Sequence, residues 1–448
     1  MKKLFSLCLA LLLLSALWIT PVSAAGDPIY DLTMDTAGIC IYNPETDSFL
    51  YEKNADIEMF PASTTKIMTA LVVLESCPDP KNTVVTVPDT GMFQYIIEDG
   101  GVNTQLVKGE EFTVYDLLLG LMMNSFCDVA DLLAYHFGGG QIEVFIKMMN
   151  DKAAALGLEH THFENAHGLH HPEHHSSPRD MAKILLCASQ NETFREIIST
   201  RSYTIPATSR HAARPLRYTV DIYYERSDWY LDCYVGGKSG FTDQAGRCLA
   251  TLAEKDGVTY VSVFLGANTD SSKNYTGNMA WIETHTLLSY AYENFEIKTV
   301  LQKGQVLATL PITDSEQTVS VVAEKDVKML ARKEYTPEYT FTLPEAVLAP
   351  AVSDGAKVGE VLLLPEEEGA EGSLLCHAVF LHDGTPIVTR SAIEKGAKSA
   401  AEAVSGIFSG DKTFVTLIIL LLAVIAISIP ALKITAFFHK KKAHRPKH

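Results

Sequence analysis

The sequence predicts an α+β fold: an antiparallel sheet with a helical part inserted between its strands, followed by a small all-β region. Three observations predict it. Strand-like runs stand at both ends of residues 27–295. Helix-period segments fill the space between them. From about Lys298 the texture turns to short β-like runs separated by Gly, Pro and Asp.

In chain order, residues 1–25 read MKKLFSLCLALLLLSALWITPVSAA, two lysines, an apolar stretch and then small residues. This predicts a secretory signal cleaved near Ala24 or Ala25. Cys8 lies too early in it to be a lipoprotein cysteine. GICIYNPETDSFLYEKN predicts two short strands around an Asn43-Pro44 turn. PASTTKIMTALVVLE predicts a helix with Pro61 before its first turn. Residues 115–135 are helical in period, and so are Ile142 to Leu156. RCLATLAEKDGVTYVSVFLGA predicts a hairpin turning at Asp256-Gly257. Trp281 to Phe295 predicts a last helix.

The runs TVSVVA, EYTFTLP and VGEVLLLP then predict a small β-sandwich domain over 298–390. A linker at 391–412 leads to an uncharged apolar run from Thr413 to Leu432. That length predicts a transmembrane helix, 413–433. The basic residues of the 434–448 tail mark its far side as cytoplasmic. The expected protein is therefore held in the cell membrane by one span, with residues 27–390 outside the cytoplasm.

Charge narrows the partners. The two ends hold eight of the 37 basic residues and none of the 54 acidic ones, leaving a charge of −25 between them. So acidic a region excludes nucleic acid as a partner. Seven of the eight cysteines follow the signal, scattered and without a CxxC pair, which reads as buried hydrophobes and not a disulfide framework.

The chemistry begins at Ser63 and Lys66. Residues three apart share a helix face, so the lysine amine meets the serine hydroxyl at the helix start. A serine is a weak nucleophile until a base takes its proton. A lysine is such a base when burial and neighbouring charge lower its pKa. The alternative for this pair alone is a helix N-cap beside a surface lysine.

Two more motifs follow: Ser125-Phe126-Cys127 in LMMNSFCDVA, and Lys238-Ser239-Gly240 in YVGGKSGFTDQAG. S-x-x-K, S-x-N and K-T/S-G in this order mark penicillin-binding proteins and β-lactamases. With LYEKNAD, LLLGLMMNS, NAHGL and SPRDMAKI around them, the chain resembles the D-alanyl-D-alanine carboxypeptidases, the low-molecular-mass penicillin-binding proteins of peptidase family S11. The likeness covers about 27–295 and continues more weakly into the β domain at DGAKVGEVLLL.

The resemblance implies a penicillin-binding-protein/β-lactamase-like catalytic domain, its antiparallel sheet flanked by helices on both sides. It implies a serine-type D-Ala-D-Ala carboxypeptidase that removes the terminal D-alanine from peptidoglycan stem peptides and is acylated by penicillin. By position, Ser63 would be acylated, Lys66 would be its base and Ser125 would relay protons to the leaving amine. Lys238 and Ser239 would hold the substrate carboxylate, and Gly240 would let the strand come close. The N–H groups of Ser63 and Phe241 would form the oxyanion hole. β-Lactams would act as covalent inhibitors; no cofactor or metal is implied.

Cys127 departs from the pattern, standing where the family has an asparagine that contacts substrate and lysine. A thiol replaces an amide poorly. Phe126 is bulky where the family has a small residue. Two other functions therefore stay open: a membrane-anchored peptidoglycan-binding protein with an impaired site, and a β-lactamase. The β-lactamase is disfavoured by the trailing β domain and the absence of a separate deacylating glutamate motif.

The histidines of HGLHHPEHH, with His160 and His162, look like a metal tract. His167-Gly168-Leu169 falls in the family's N-x-H-G-L loop, and the other histidines are expected to decorate a solvent loop. Gly237-Lys238-Ser239 is not a phosphate loop, because position 232 is aspartate and a hairpin follows it.

Overall fold

The computed structural model describes residues 28–268, 278–364 and 374–407. The expected signal (1–25), membrane span (413–433), basic tail (434–448) and the last residues of the linker lie outside the described residues. Among the described residues, no helix is long and apolar enough to cross a membrane.

The first hairpin forms as expected, β1 (Gly38–Asn43) with β2 (Ser48–Lys53). Three further strands complete its sheet: β3 (Tyr234–Thr242), β4 (Gly246–Lys255) and β5 (Val258–Ala267). The order is β2-β1-β5-β4-β3, antiparallel throughout, so β3 is an edge. Asp256 and Gly257 both have positive φ, +52° and +79°, as the tight turn between β4 and β5 demands.

The two central strands do not alternate. Cys248–Ala253 of β4 and Tyr260–Leu265 of β5 are buried without a break, so both faces of the sheet are covered. Helices α5 (Pro178–Ser189) and α7 (Met279–Asn294) both pack against these strands. The SPRD stretch starts α5: Ser177 accepts a hydrogen bond from the Asp180 N–H and Pro178 holds the first helical position. Between β2 and β3 lies the helical part: α1 (Lys66–Ser76), α2 (Val114–Met123), α3 (Cys127–Phe137), α4 (Ile142–Ala155), α5 and α6 (Glu192–Ser199). Residues 66–74 of α1 are all buried, as befits a helix apolar all round.

The helical run expected over 115–135 is two helices. Thr113 caps α2 by accepting from the Asp116 N–H. The run then breaks at Asn124-Ser125-Phe126, where Ser125 adopts φ +62°. The hydrophobic period continues across the break, so periodicity alone cannot reveal it.

The described residues to Val300, together with Lys328–Pro337, form one unit; Leu301–Val327 and those from Glu338 onward form a second. The second holds a five-stranded antiparallel sheet of β6 (Val306–Pro311), β7 (Thr318–Ala323), β8 (Tyr339–Thr342), β9 (Lys357–Leu363) and β10 (Leu374–Leu381). Its order is β6-β7-β10-β9-β8. A helix, α8 (Arg390–Ile407), follows it.

Candidate active site

Ser63 lies on a short 3₁₀ turn, Ala62–Thr65, that runs into α1 at Lys66. In a 3₁₀ turn residues i and i+3 eclipse, which aligns the two side chains more closely than an α-helix would. The turn opens with Ala62 at φ +47°, a strained left-handed conformation for a residue with a Cβ.

Lys66 Nζ is 3.0 Å from Ser63 Oγ, 2.5 Å from the His167 carbonyl and 3.5 Å from Cys127 Sγ. Three partners match the three donors of an ammonium. A neutral amine has two N–H bonds and a lone pair. The His167 carbonyl can only accept, so loss of a proton leaves the lone pair free to turn to the Ser63 hydroxyl. Lys66 is fully buried. Burial drives its pKa below the ordinary lysine range, while Cys127 and the Asp131 and Asp128 carboxylates pull it back up.

Cys127 begins α3 and is buried at 3% exposure, its N–H donating to the Val102 carbonyl at 2.7 Å. The thiol thus stands beside the lysine as the family's asparagine was expected to. Phe126 is accommodated without entering this contact. Its ring lies over Gly120 of α2, 3.1 Å from where a Cβ on that glycine would stand. Ser125 is half-buried, and its carbonyl is 3.7 Å from Cys127 Sγ. Among the described residues its hydroxyl has no hydrogen-bond partner in the protein.

On β3, Lys238 is 1% exposed and donates to the Ser239 carbonyl at 2.7 Å. Burial, and then the charge of Lys66, push its pKa well below the lysine range, with Cys127 opposing. Ser239 is half-buried. Phe241 is 50% exposed, with the Arg247 guanidinium 5.5 Å from its ring centroid. Gly240 faces the nucleophile's turn: a Cβ there would lie 2.8 Å from Ser63 N and 2.9 Å from Ala62 Cβ. Its closeness is to Ser63 itself, a tighter constraint than an approach to substrate.

The loop of histidines is ordered. His162 and His175 pair through both backbone groups, at 2.9 and 3.0 Å. His174 does not decorate solvent as expected. It is buried, 2.8 Å from Thr65 Oγ1 in the nucleophile's turn, and its Nδ1 accepts from the Glu164 N–H. Burial first, and then the neighbouring histidines, lower its pKa to about 3. Among the described residues no three His, Cys, Asp or Glu side chains converge as a metal site would require.

Sequence reasoning passed over Tyr95 and Asp131. Tyr95, on the short helix Gln94–Glu98, hydrogen-bonds Asp131 Oδ2 and lies 3.0 Å from His167 Nε2. The signal for Asp131 was present: it stands four residues after Cys127, on the same helix face. Tyr95 had no such signal, because its approach is tertiary.

A family model described as D-alanyl-D-alanine carboxypeptidase matches residues 25–269, more than half of the chain. The chain belongs to the D-alanyl-D-alanine carboxypeptidase family. A second model, penicillin-binding protein 5 C-terminal domain, matches residues 295–395. The D-alanyl-D-alanine carboxypeptidase of Streptomyces sp. strain K15 is 33% identical over 266 residues, 58% of this chain and 88% of that one. The D-alanyl-D-alanine carboxypeptidase DacF of Bacillus subtilis is 26% identical over 74% of this chain and 82% of its own.

Among solved structures, the Streptomyces K15 DD-transpeptidase aligns with TM-score 0.51 and 29% identity, covering 58% of this chain and 98% of that one. Solved variants of that enzyme include a cysteine replaced by asparagine and a serine, two positions earlier, replaced by alanine. It therefore carries a Ser-x-Cys spacing like that of Ser125 and Cys127. The DacD carboxypeptidase of Francisella tularensis shares the fold at 21% identity, TM-score 0.62, over 80% of this chain.

Proposed function

We propose that the protein is a serine D-Ala-D-Ala carboxypeptidase acting on peptidoglycan stem peptides outside the cytoplasm, tethered by the 413–433 segment. The observation that carries this reading is the 3.0 Å approach of a buried, pKa-lowered Lys66 to Ser63 Oγ. Neutral Lys66 takes the Ser63 proton as Oγ attacks the carbonyl of the penultimate D-alanine. The N–H groups of Ser63 and Phe241 receive the developing oxyanion. Lys238, with Ser239, holds the terminal carboxylate. The proton passes through Ser125 to the amine of the departing D-alanine. Water then cleaves the ester on Ser63 with Lys66 again as base. A β-lactam acylates the same oxygen and stays.

One observation favours a second outcome for the acyl-enzyme. The K15 relative bears the name DD-transpeptidase and shares the Ser-x-Cys spacing. Transfer of the acyl group to an amine in place of water is that second reading.

Incubation of the full chain with penicillin and with a D-Ala-D-Ala-terminated peptide tests both. A covalent adduct by intact mass, absent in Ser63→Ala, together with released D-alanine is expected. Release that needs an added amine acceptor selects transpeptidation. No adduct on the wild-type chain overturns the proposal.

A further inference from the structure

A set of side chains near Lys66, Asp131 and His167 buried and Tyr95 40% exposed, is not used by the mechanism above. Asp131 lies one turn below Cys127 on α3, so the helix that presents the thiol to Lys66 presents a carboxylate beneath it. Asp131 is 0% exposed. Its Oδ2 accepts from the Tyr95 hydroxyl. Among the described residues its Oδ1 has no hydrogen-bond partner, and it lies 3.8 Å from His167 Nε2.

The directions of these bonds follow from His167. Its Nδ1 accepts from the Leu169 N–H at 3.0 Å, so in the neutral ring the proton sits on Nε2. Nε2–H then donates to the Tyr95 hydroxyl at 3.0 Å, and Tyr95 donates to Asp131. The same His167 gives its carbonyl to Lys66 Nζ. Asp131 thus reaches Lys66 by two routes, one through α3 and Cys127, one through Tyr95 and His167.

The charges around the pair explain why a counter-ion belongs there. Lys66 and Lys238 are both buried, on α1 and β3. His167 is buried and held neutral, first by burial and then by the charge of Lys66. Asp128, also on α3, is committed elsewhere: it accepts from the N–H groups of Thr104, Leu106 and Val129. Cys127 offers only a weak acceptor. That leaves Asp131 as the other α3 carboxylate whose charge acts on the lysine, and among the described residues no backbone N–H engages it.

We propose that Asp131, fixed by Tyr95 and His167, is a positioning residue that sets the charge state of Lys66: its carboxylate holds Lys66 as the ammonium in the resting site and fixes the pH at which Lys66 becomes a base. Burial raises the Asp131 pKa to about 7, against the Tyr95 hydrogen bond and the Lys66 charge, with Asp128 raising it further. This inference deepens the proposed function and rests on Lys66 acting as the base.

Two readouts on Asp131→Asn and Tyr95→Phe test it. The first is the titration of the Lys66 amine by NMR on isotope-labelled lysine in the full chain, assigned by loss of the signal in Lys66→Arg. Removing the carboxylate is expected to lower the Lys66 midpoint by about one pH unit. Tyr95→Phe, which frees Asp131 to keep its proton, is expected to shift it the same way by less. The second readout is the rate of penicillin acylation between pH 5 and 10, whose acidic limb is expected to move down with the amine. An Asp131→Asn midpoint that stays in place, with acylation reduced equally at every pH, means a structural role and overturns the inference. Should Asp131→Asn fail to fold, an unmoved midpoint in Tyr95→Phe overturns it as well. A shifted amine in a chain that penicillin never acylates would sink the proposed function and leave this inference standing.

Discussion

Gly240→Ala isolates how closely the edge strand must approach the nucleophile. The added Cβ would lie 2.8 Å from Ser63 N, 2.9 Å from Ala62 Cβ and 3.1 Å from the Pro61 carbonyl. Ordinary contact is about 3.5 Å, so the strand must retreat by about 0.7 Å. No flexible side chain can absorb this, because two of the three neighbours are backbone atoms. The retreat carries Lys238, Ser239 and Phe241 away from Ser63 together. A misplacement of 1 Å costs about a hundredfold in rate, so acylation is expected to slow by roughly 25-fold. Overpacking costs about 1–3 kcal/mol, which thermal unfolding would register separately. The assay is the second-order rate of penicillin acylation by intact mass, at a temperature where the variant is fully folded. A wild-type rate from a folded variant would refute the claim that the β3 approach sets the geometry at Ser63.

The remaining expectations concern other parts of the first unit. Gly168→Ala places a Cβ 2.0 Å from the Ala62 carbonyl at φ +80°, so it should disrupt the nucleophile's turn and abolish acylation; a folded, active variant would contradict this. Glu110 is buried against Arg214 at 2.9 Å and Thr208 at 2.5 Å, and Glu110→Gln should cost about 3 kcal/mol in denaturant unfolding at neutral pH. Burial raises that carboxyl, but Thr208, the Val107 N–H and Arg214 outweigh it and hold its pKa low. Its stabilisation is thus present above the unfolded carboxyl's range and lost as pH falls through the lower folded value, so the wild-type advantage should vanish in acid. Of the seven described cysteines only Cys187 is not buried, and peptide mapping after maleimide treatment of the native chain should find label there and not on Cys127.

What the sequence revealed follows from which forces are local. The β1–β2 hairpin, the Asp256-Gly257 turn and the amphipathic period of Ile142–Ala155 are written in short windows, and each forms. The pairing of Ser63 with Lys66 was legible for the same reason, a spacing of three. The break at Ser125 was not, since its left-handed φ is imposed by packing around an otherwise helical pattern. Nor was the place of Phe126: the room for a bulky ring at that position is made by Gly120, on a different helix. His174 was misread because a tract of histidines carries no sign of which ring turns inward. Tyr95 comes to Asp131 from 36 residues away, a distance that no local pattern encodes.

The place of β1 in the sheet bears on how the chain is made. Its neighbour on the inner side is β5, with Gly38 opposite Leu265, more than two hundred residues later. During synthesis from the N-terminus, the β1–β2 hairpin emerges early and waits with its β1 edge unpaired. Until β5 arrives, that edge of buried-type residues is a template for other chains. Closing so long a loop is slow. The same closure brings β3 to Ser63, so penicillin reactivity would appear only when the last hairpin has docked, and a nascent chain would be chemically silent until its sheet is whole.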